Sequence, residues 1–296
     1  MKIYSLGSLN IDYVYQVPHF IRPGETLSST HMKIFPGGKG LNQSVALGKA
    51  GAQVIHGGII NHADTFLTSV LHTAAVDISR IKTTNTPSGH AIIQVEPSGQ
   101  NCILLYPGAN HEFTQDYIEY VLGDAGQDDI ILLQNEINCL DLIFEVARQK
   151  DISIAFNPSP YNSKLTKLPL SQVKWWIFNE IEGQDLTGES DPDRILSAMY
   201  EMYPQSNLLL TLGDKGCRFK NASLNVFCPA YPTKAIDTTA AGDTFTGYFL
   251  SMIGENISIP DALRIAARAA SIAVSRTGAS ESIPYLTEVA DVLALR

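Results

Sequence analysis

Two short segments carry residues that could do chemistry together. The first is Asp237-Thr238-Thr239-Ala240-Ala241-Gly242-Asp243-Thr244-Phe245-Thr246-Gly247, which leads into an apolar run over residues 245–253. That order reads as a loop entering a buried helix. The first N–H groups of a helix have no intrahelical acceptor, and with the helix dipole they make a site for an anion such as a phosphate. Asp243 falls in that first turn and aims a carboxylate at the same place. A fixed negative charge serves anion binding poorly. It serves well to take the proton from a hydroxyl that is about to attack a phosphoryl group. Acidic residues also stabilise ordinary helix starts, so this segment alone leaves both readings open.

The second segment is Phe35-Pro36-Gly37-Gly38-Lys39-Gly40-Leu41-Asn42-Gln43, ahead of a helical pattern over residues 44–50 that Gly51 closes. Paired glycines let backbone approach a small polar ligand, and Asn42 offers both a donor and an acceptor. The spacing G-x-x-x-x-G-K-[ST] is absent, so this is not a P-loop. A Gly-Gly pair by itself marks a turn as readily as a site.

Positioning such loops calls for a rigid frame, and the chain supplies its pattern. Short apolar runs at residues 3–9, 53–60, 129–134, 153–156, 175–178 and 208–212 read as strands buried on both faces. Helical spacing over 140–149 and 192–203 falls between them, and the last third is helical over 242–254, 260–276 and 287–295. This alternation predicts an α/β fold with a mainly parallel sheet covered by helices on both faces. Asn10, Asn157, Asn179 and Gly213 fall just after strands, at the carboxyl rim where ligands collect in such sheets. Residues 13–35 and a hairpin over 88–106 break the rhythm and read as a small separate sheet.

With 296 residues, of which 45% are hydrophobic, the chain has material for a sizeable core. Its formal net charge of −9 argues against a nucleic-acid or anionic-membrane surface. No run approaches the ~20 apolar residues of a membrane span, and residues 3–9 are too short for a signal peptide. Cys102, Cys139, Cys217 and Cys228 show no C-x-x-C spacing and read as free thiols in a reducing cytoplasm. His56, His72 and His90 have no partner spacing that would make them catalytic.

Together the segments resemble the ribokinase (PfkB-type) family of sugar and nucleoside kinases, along nearly the whole chain and in the family's order. Gly7-Ser8-Leu9-Asn10-Ile11-Asp12 is similar to the family's first strand with its sugar-binding Asn and Asp. Residues 36–43 resemble its first signature and residues 237–245 its second. Asn179-Glu180-Ile181-Glu182 matches an N-x-x-E element, and Thr211-Leu212-Gly213-Asp214-Lys215-Gly216 a strand-turn that cradles the nucleotide.

The resemblance implies a ribokinase-like fold, with residues 1–12, 36–86 and 107–296 as the core and residues 13–35 and 87–106 as a β-sheet lid. It implies ATP-dependent phosphorylation of a small sugar at a primary hydroxyl. Asn10, Asp12, Asn42 and Glu136 are most similar to members that convert D-ribose to ribose 5-phosphate. Asp243 would be the general base, with Ala240, Ala241 and Gly242 offering N–H groups to the transferred phosphoryl. Asn10, Asp12, Gly38, Lys39, Asn42 and Glu136 would hold the sugar. Asn179, Thr211, Gly213, Gly216 and Gly242 would hold ATP, and Glu182 a Mg²⁺ ion through water. Asp237, Thr239, Ala273, Arg276, Gly278 and Ser282 match positions that hold potassium, mostly through backbone carbonyls. The implied partners are sugar, ATP and a second copy of the chain, joined through the lid.

Each of these residues has a plainer reading. Asn10 and Asp12 are ordinary turn formers, Glu136 an exposed strand-end carboxylate, and Asn179 with Glu182 a helix cap. Residues 60–66 replace the family's G-x-D-x-x-G, and Ala267 stands where a polar residue often lies beside adenine. A kinase of the same type acting on fructose, a deoxy sugar or a nucleoside is the nearest alternative. A non-catalytic sugar-binding protein is the other, and it would have no use for a base at the phosphate site.

Overall fold

The computed structural model describes residues 1–289 of the chain. The first half runs β1 (Ile3–Leu6), β2 (Asn10–Gln16), β3 (His31–Gly37), α1 (Lys39–Lys49), β4 (Val54–Gly57), β5 (Ile59–Asn61), α2 (Phe66–Thr73), β6 (Lys82–Thr84), β7 (Gly89–Val95), β8 (Asn101–Tyr106), α3 (Gln115–Val121) and β9 (Ile130–Gln134). The second half runs α4 (Leu140–Lys150), β10 (Ser153–Asn157), β11 (Val173–Asn179), α5 (Glu180–Thr187), α6 (Pro192–Met202), β12 (Asn207–Thr211), β13 (Gly216–Lys220), β14 (Asn225–Pro229), α7 (Ala241–Gly254) and α8 (Ile259–Ala273).

Eight strands form one sheet in the order β14-β13-β12-β11-β10-β9-β1-β4. From β12 to β4 every neighbouring pair is parallel, and β13 and β14 close the far edge as an antiparallel hairpin. The mainly parallel α/β sheet expected from the sequence is therefore present. Successive side chains of a strand point to opposite faces, and the buried ones sort accordingly. Ile130, Leu132, Ile177 and Leu209 pack with α1, α7 and α8, while Ile131, Leu133, Trp176 and Leu210 pack on the other face with α4 and α6. Fully burying each such side chain contributes roughly 1.5–3 kcal/mol.

A second sheet, in the order β3-β2-β7-β8, stands apart from the first. The expected hairpin over 88–106 is its β7–β8 pair, in antiparallel register from His90 opposite Tyr106 to Val95 opposite Asn101.

Several boundaries differ from the sequence reading. The single strand expected over 53–60 is two strands in two sheets: β4 joins the main sheet and β5 pairs with β6. Gly58 lies between them, where a Cβ would come within 2.8 Å of His56 Nε2 and Leu9 Cδ1. Asn10 and Asp12 do not extend β1; they open β2 in the smaller sheet. The helix expected from residue 44 begins at Lys39, so Lys39, Asn42 and Gln43 are helical rather than looped. The helix expected over 260–276 ends at Ala273. Of the stretch 287–295, the first residues form a 3₁₀ turn, Leu286–Val289, and the rest lies outside the described residues. Where residues 60–66 depart from the family pattern, Asn61 organises the turn: its Nδ2 donates to the carbonyls of Asn85 and Thr86, and its Oδ1 accepts from the Ala63 N–H at 2.9 Å.

Candidate active site

Two helices bring the chemistry together. Gly38 precedes α1 with φ +93°, a left-handed conformation that only glycine takes freely. Gly40 lies against the end of β1, where a Cβ would stand 2.4 Å from the Ser8 amide nitrogen. Opposite, α7 starts at Ala240, a non-glycine residue held at φ 60°. That conformation costs roughly 1–2 kcal/mol. The Ala241 N–H donates to the Thr238 carbonyl at 3.3 Å, and the N–H groups that follow it in the first turn of α7 have no intrahelical acceptor. A Cβ built on Gly242 meets nothing within 4 Å, so the space above this turn is open.

The helices touch through small residues. A Cβ at Gly247 would come 2.4 Å from that of Ala46, so α7 lies directly on α1. Residues four apart share a helix face, and the same contact therefore aligns Asp243 with Asn42 and Gln43. Asp243 is 8% exposed; its Oδ2 accepts from Asn42 Nδ2 at 3.1 Å and its Oδ1 from Gln43 Nε2 at 2.9 Å.

Lys39 supplies the positive charge. Burial pulls its ammonium down, but Asp243, Glu136 and Glu182 outweigh that and hold it above the ordinary lysine value. Glu136 accepts from the Ser8 hydroxyl and, at 3.0 Å, from the Lys39 backbone N–H. Burial pushes the Glu136 carboxyl up, with Lys39 opposing. Asp12 is next in this chain of carboxylates. Burial, then the charge of Glu136, raises it from 3.8 to about 7. Asn10 is buried, and its Oδ1 accepts from Asn110 Nδ2 at 2.7 Å.

Two cavities flank the start of α7, and Asp243 lines the smaller of them. The smaller, about 220 Å³, is lined by Lys39, Gln43, Asn157, Asn179, Glu182 and Asp243 among others. The larger, about 500 Å³, is bordered by Thr211, Gly213, Gly216, Tyr231, Phe245 and Ala267. They share Thr211, Thr238, Ala241 and Gly242, so they meet over the first turn of α7. An anion bridging the two would face those N–H groups, and a hydroxyl in the smaller one would face Asp243.

Known proteins agree with this geometry. The profile of the pfkB family carbohydrate kinases matches residues 1–286. The chain belongs to that family. It is 33% identical to a ribokinase of Haemophilus influenzae over 298 residues, covering 97% of each chain. Its structure is similar to that of ribokinase from Cryptococcus neoformans var. grubii serotype A in complex with ADP, with a TM-score of 0.86 and 31% identity over 98% of this chain and 99% of that one. It is likewise similar to Arabidopsis thaliana ribokinase complexed with ribose and ATP, with a TM-score of 0.87 and 26% identity over 99% and 98% of the two chains. The protein is thus a carbohydrate kinase of the pfkB family, with the fold of the ribokinases.

Within this kinase, Asn179 and Glu182 form a reciprocal cap at the start of α5: Asn179 Oδ1 accepts from the Glu182 N–H at 2.9 Å, and Glu182 Oε2 from the Asn179 N–H at 3.0 Å. The capping reading is therefore realised, and it sets both side chains on the wall of the smaller cavity. Asp237 joins its own loop to the one that follows α8. Its Oδ1 accepts from the Thr239 N–H at 2.9 Å and its Oδ2 from the Gly278 N–H at 3.1 Å. Burial opposes ionisation there, but the bonds from Thr239 and Gly278 hold the carboxyl below its ordinary range. Ala273 ends α8, with its carbonyl accepting from the Arg276 N–H at 3.0 Å, and Ser282 Oγ donates to the Ala279 carbonyl. The Arg276 guanidinium pairs with Glu288.

Sequence reasoning left three polar residues of the site without a role. Gln43 stood inside a signature segment, and Gln134 was visible as a lone polar residue closing an apolar strand. Asn110, which holds Asn10, gave no signal, because it comes from a short turn 100 residues away. His56 is remote from this chemistry: it is fully buried, paired with Ser44 Oγ at 2.7 Å, and pushed down to about 3 by burial.

Proposed function

We propose that this kinase transfers the γ-phosphoryl group of ATP to the primary hydroxyl of a small sugar, D-ribose first, giving ribose 5-phosphate. The observation that carries the reading is Asp243, buried on the wall of the smaller cavity with Lys39, one residue from the Ala241–Gly242 turn that both cavities share. The sugar lies between the smaller sheet and α1, its hydroxyls on Asn10, Asp12, Asn42 and Glu136, and the adenosine fills the larger cavity. Asp243 takes the hydroxyl proton as the oxygen attacks. Lys39 and the N–H groups of Ala241 and Gly242 stabilise the charge that spreads over the transferred oxygens.

Among the described residues no cluster of three or more His, Cys, Asp or Glu side chains could hold a metal unaided. That suits Mg²⁺, which keeps several waters and binds through phosphate. Glu182 and Asn179, on the wall of the smaller cavity, would receive its waters, and the ion would offset phosphate charge. The loops joined by Asp237 suit a potassium ion, held by backbone carbonyls, that fixes the direction of the α7 amides. Residues 13–35 and 87–106 act as the lid over the sugar. Its edge strand β8 exposes Ile103 at 56% and Leu104 at 67%. An apolar edge of that kind calls for cover, which a second copy of the chain supplies. No helix among the described residues is long and apolar enough to cross a membrane, and with its free thiols the enzyme fits the cytoplasm.

Coupled ADP release over a panel of ribose, 2-deoxyribose, fructose and nucleosides tests this, each run in tetramethylammonium buffer with and without potassium. Ribose should give the highest kcat/KM, and potassium should raise kcat or ATP affinity. A nucleoside or fructose ahead of ribose would overturn the substrate, and identical rates in both buffers would overturn the cation site.

Asp12 predicts a pH dependence. A sugar hydroxyl donates to a carboxylate, so binding favours the ionised form, and in the free enzyme that form prevails only above about 7. The KM for sugar should therefore fall as pH rises from about 6 to about 8, and Asp12→Asn should remove that trend while raising KM. The folded-state value is raised, so the group's contribution to stability is full below 3.8 and lost as pH rises through about 7. Initial rates at saturating ATP and thermal melts over the same range check both signs.

A further inference from the structure

Behind the site three buried side chains stand in line. Gln134 donates from Nε2 to Gln43 Oε1 at 2.7 Å, and Gln43 donates from Nε2 to Asp243 Oδ1 at 2.9 Å. They come from β9, α1 and α7 and are 0%, 1% and 8% exposed. The direction of both donors follows from Asp243. A carboxylate only accepts, so Gln43 turns its amino group to Oδ1 and its Oε1 away. Gln134 must then donate too. Its own Oε1 is left buried and without a partner among the described residues, beside Gly7, where a Cβ would come within 2.4 Å of it.

An orphaned buried acceptor is costly. Turning both amides over would point Gln43 Nε2 at that oxygen, but it would set Gln43 Oε1 against the carboxylate. The unpartnered oxygen is thus the consequence of holding the Asp243 carboxylate in one orientation. Gln134 touches neither cavity, so whatever it does for the reaction passes through Gln43.

We propose that Gln43 and Gln134 form a two-amide positioning relay that fixes the plane of the Asp243 carboxylate against the attacking hydroxyl. The inference rests on Asp243 being the base. Asn42 holds the other carboxylate oxygen, so losing the relay leaves the group tethered at one end and free to rotate. Methionine matches glutamine in length and removes the amide, which makes Gln43→Met and Gln134→Met the variants to compare, singly and together, by steady-state kinetics with both substrates varied.

Misplacing a catalytic group costs up to about 100-fold, so kcat should fall roughly 10-fold to 100-fold in Gln43→Met and about 10-fold in Gln134→Met. Both KM values should stay within about threefold, since the lost interaction acts in the transition state. The double variant should fall no further than Gln43→Met alone, whereas independent roles would multiply. If Gln134→Met does not fold, Gln134→Asn, which withdraws the amide by one methylene, serves the same comparison. Parental kcat in the Gln134 variant, multiplied losses in the double variant, or a raised KM at unchanged kcat would each overturn the relay alone. A parent chain without phosphoryl transfer would overturn the relay and the base together.

Discussion

Asp243→Asn should lower kcat by roughly 10²- to 10⁴-fold, the usual contribution of a general base, with the sugar KM changed only a few-fold. The substitution keeps volume and removes the charge and the capacity to take a proton. Its neighbours can adapt. The new amide oxygen still accepts from Gln43, and its amino group meets Asn42, whose Oδ1 has no partner among the described residues and can turn to accept. The variant is therefore expected to fold and to bind sugar, which isothermal titration with ribose and a non-hydrolysable ATP analogue would show. Single-turnover phosphoryl transfer measures the loss. Turnover within tenfold of the parent would remove Asp243 from the role of base, and the site would then have to work by positioning alone.

Lys39→Met should lower kcat/KM for ATP by roughly 10²- to 10³-fold, the cost of deleting one donor aimed at transition-state charge. The ammonium stands amid Asp243, Glu136 and Glu182, and their attraction overcomes the burial that opposes its charge. Without it, three carboxylates face a site that must also admit the negative charge of a triphosphate. ATP affinity and kcat should fall together, while sugar affinity falls less, because Asn10 and Asp12, the residues proposed to hold the sugar, stand on β2 and not on α1 with Lys39. Kinetics with both substrates varied decide between this and a sugar-only role for Lys39, which would raise the sugar KM and leave kcat untouched.

Much of this was legible in the chain. Apolar runs of strand length alternating with helical spacing predicted the parallel sheet, and periodicity alone suffices for that because each element buries its own faces. The segment 237–247 placed a helix start and a carboxylate on one turn, since both belong to the first residues of one helix. The hairpin of the smaller sheet was visible for the same reason: its turn and both its strands are contiguous.

What the tertiary structure decided lies between distant segments. Asp243 is held by Asn42 and Gln43, 201 and 200 residues away, because Gly247 lets α7 rest on Ala46 of α1. Asn10 and Asp12 belong to the smaller sheet and not to the end of β1, since pairing with β3 and β7 outweighs continuity along the chain. Arg276 pairs with Glu288, a partner that no local spacing announces. Local spacing records which face of an element is apolar. It carries no record of which element that face will meet, and the orientation of the Asp243 carboxylate depends on that meeting.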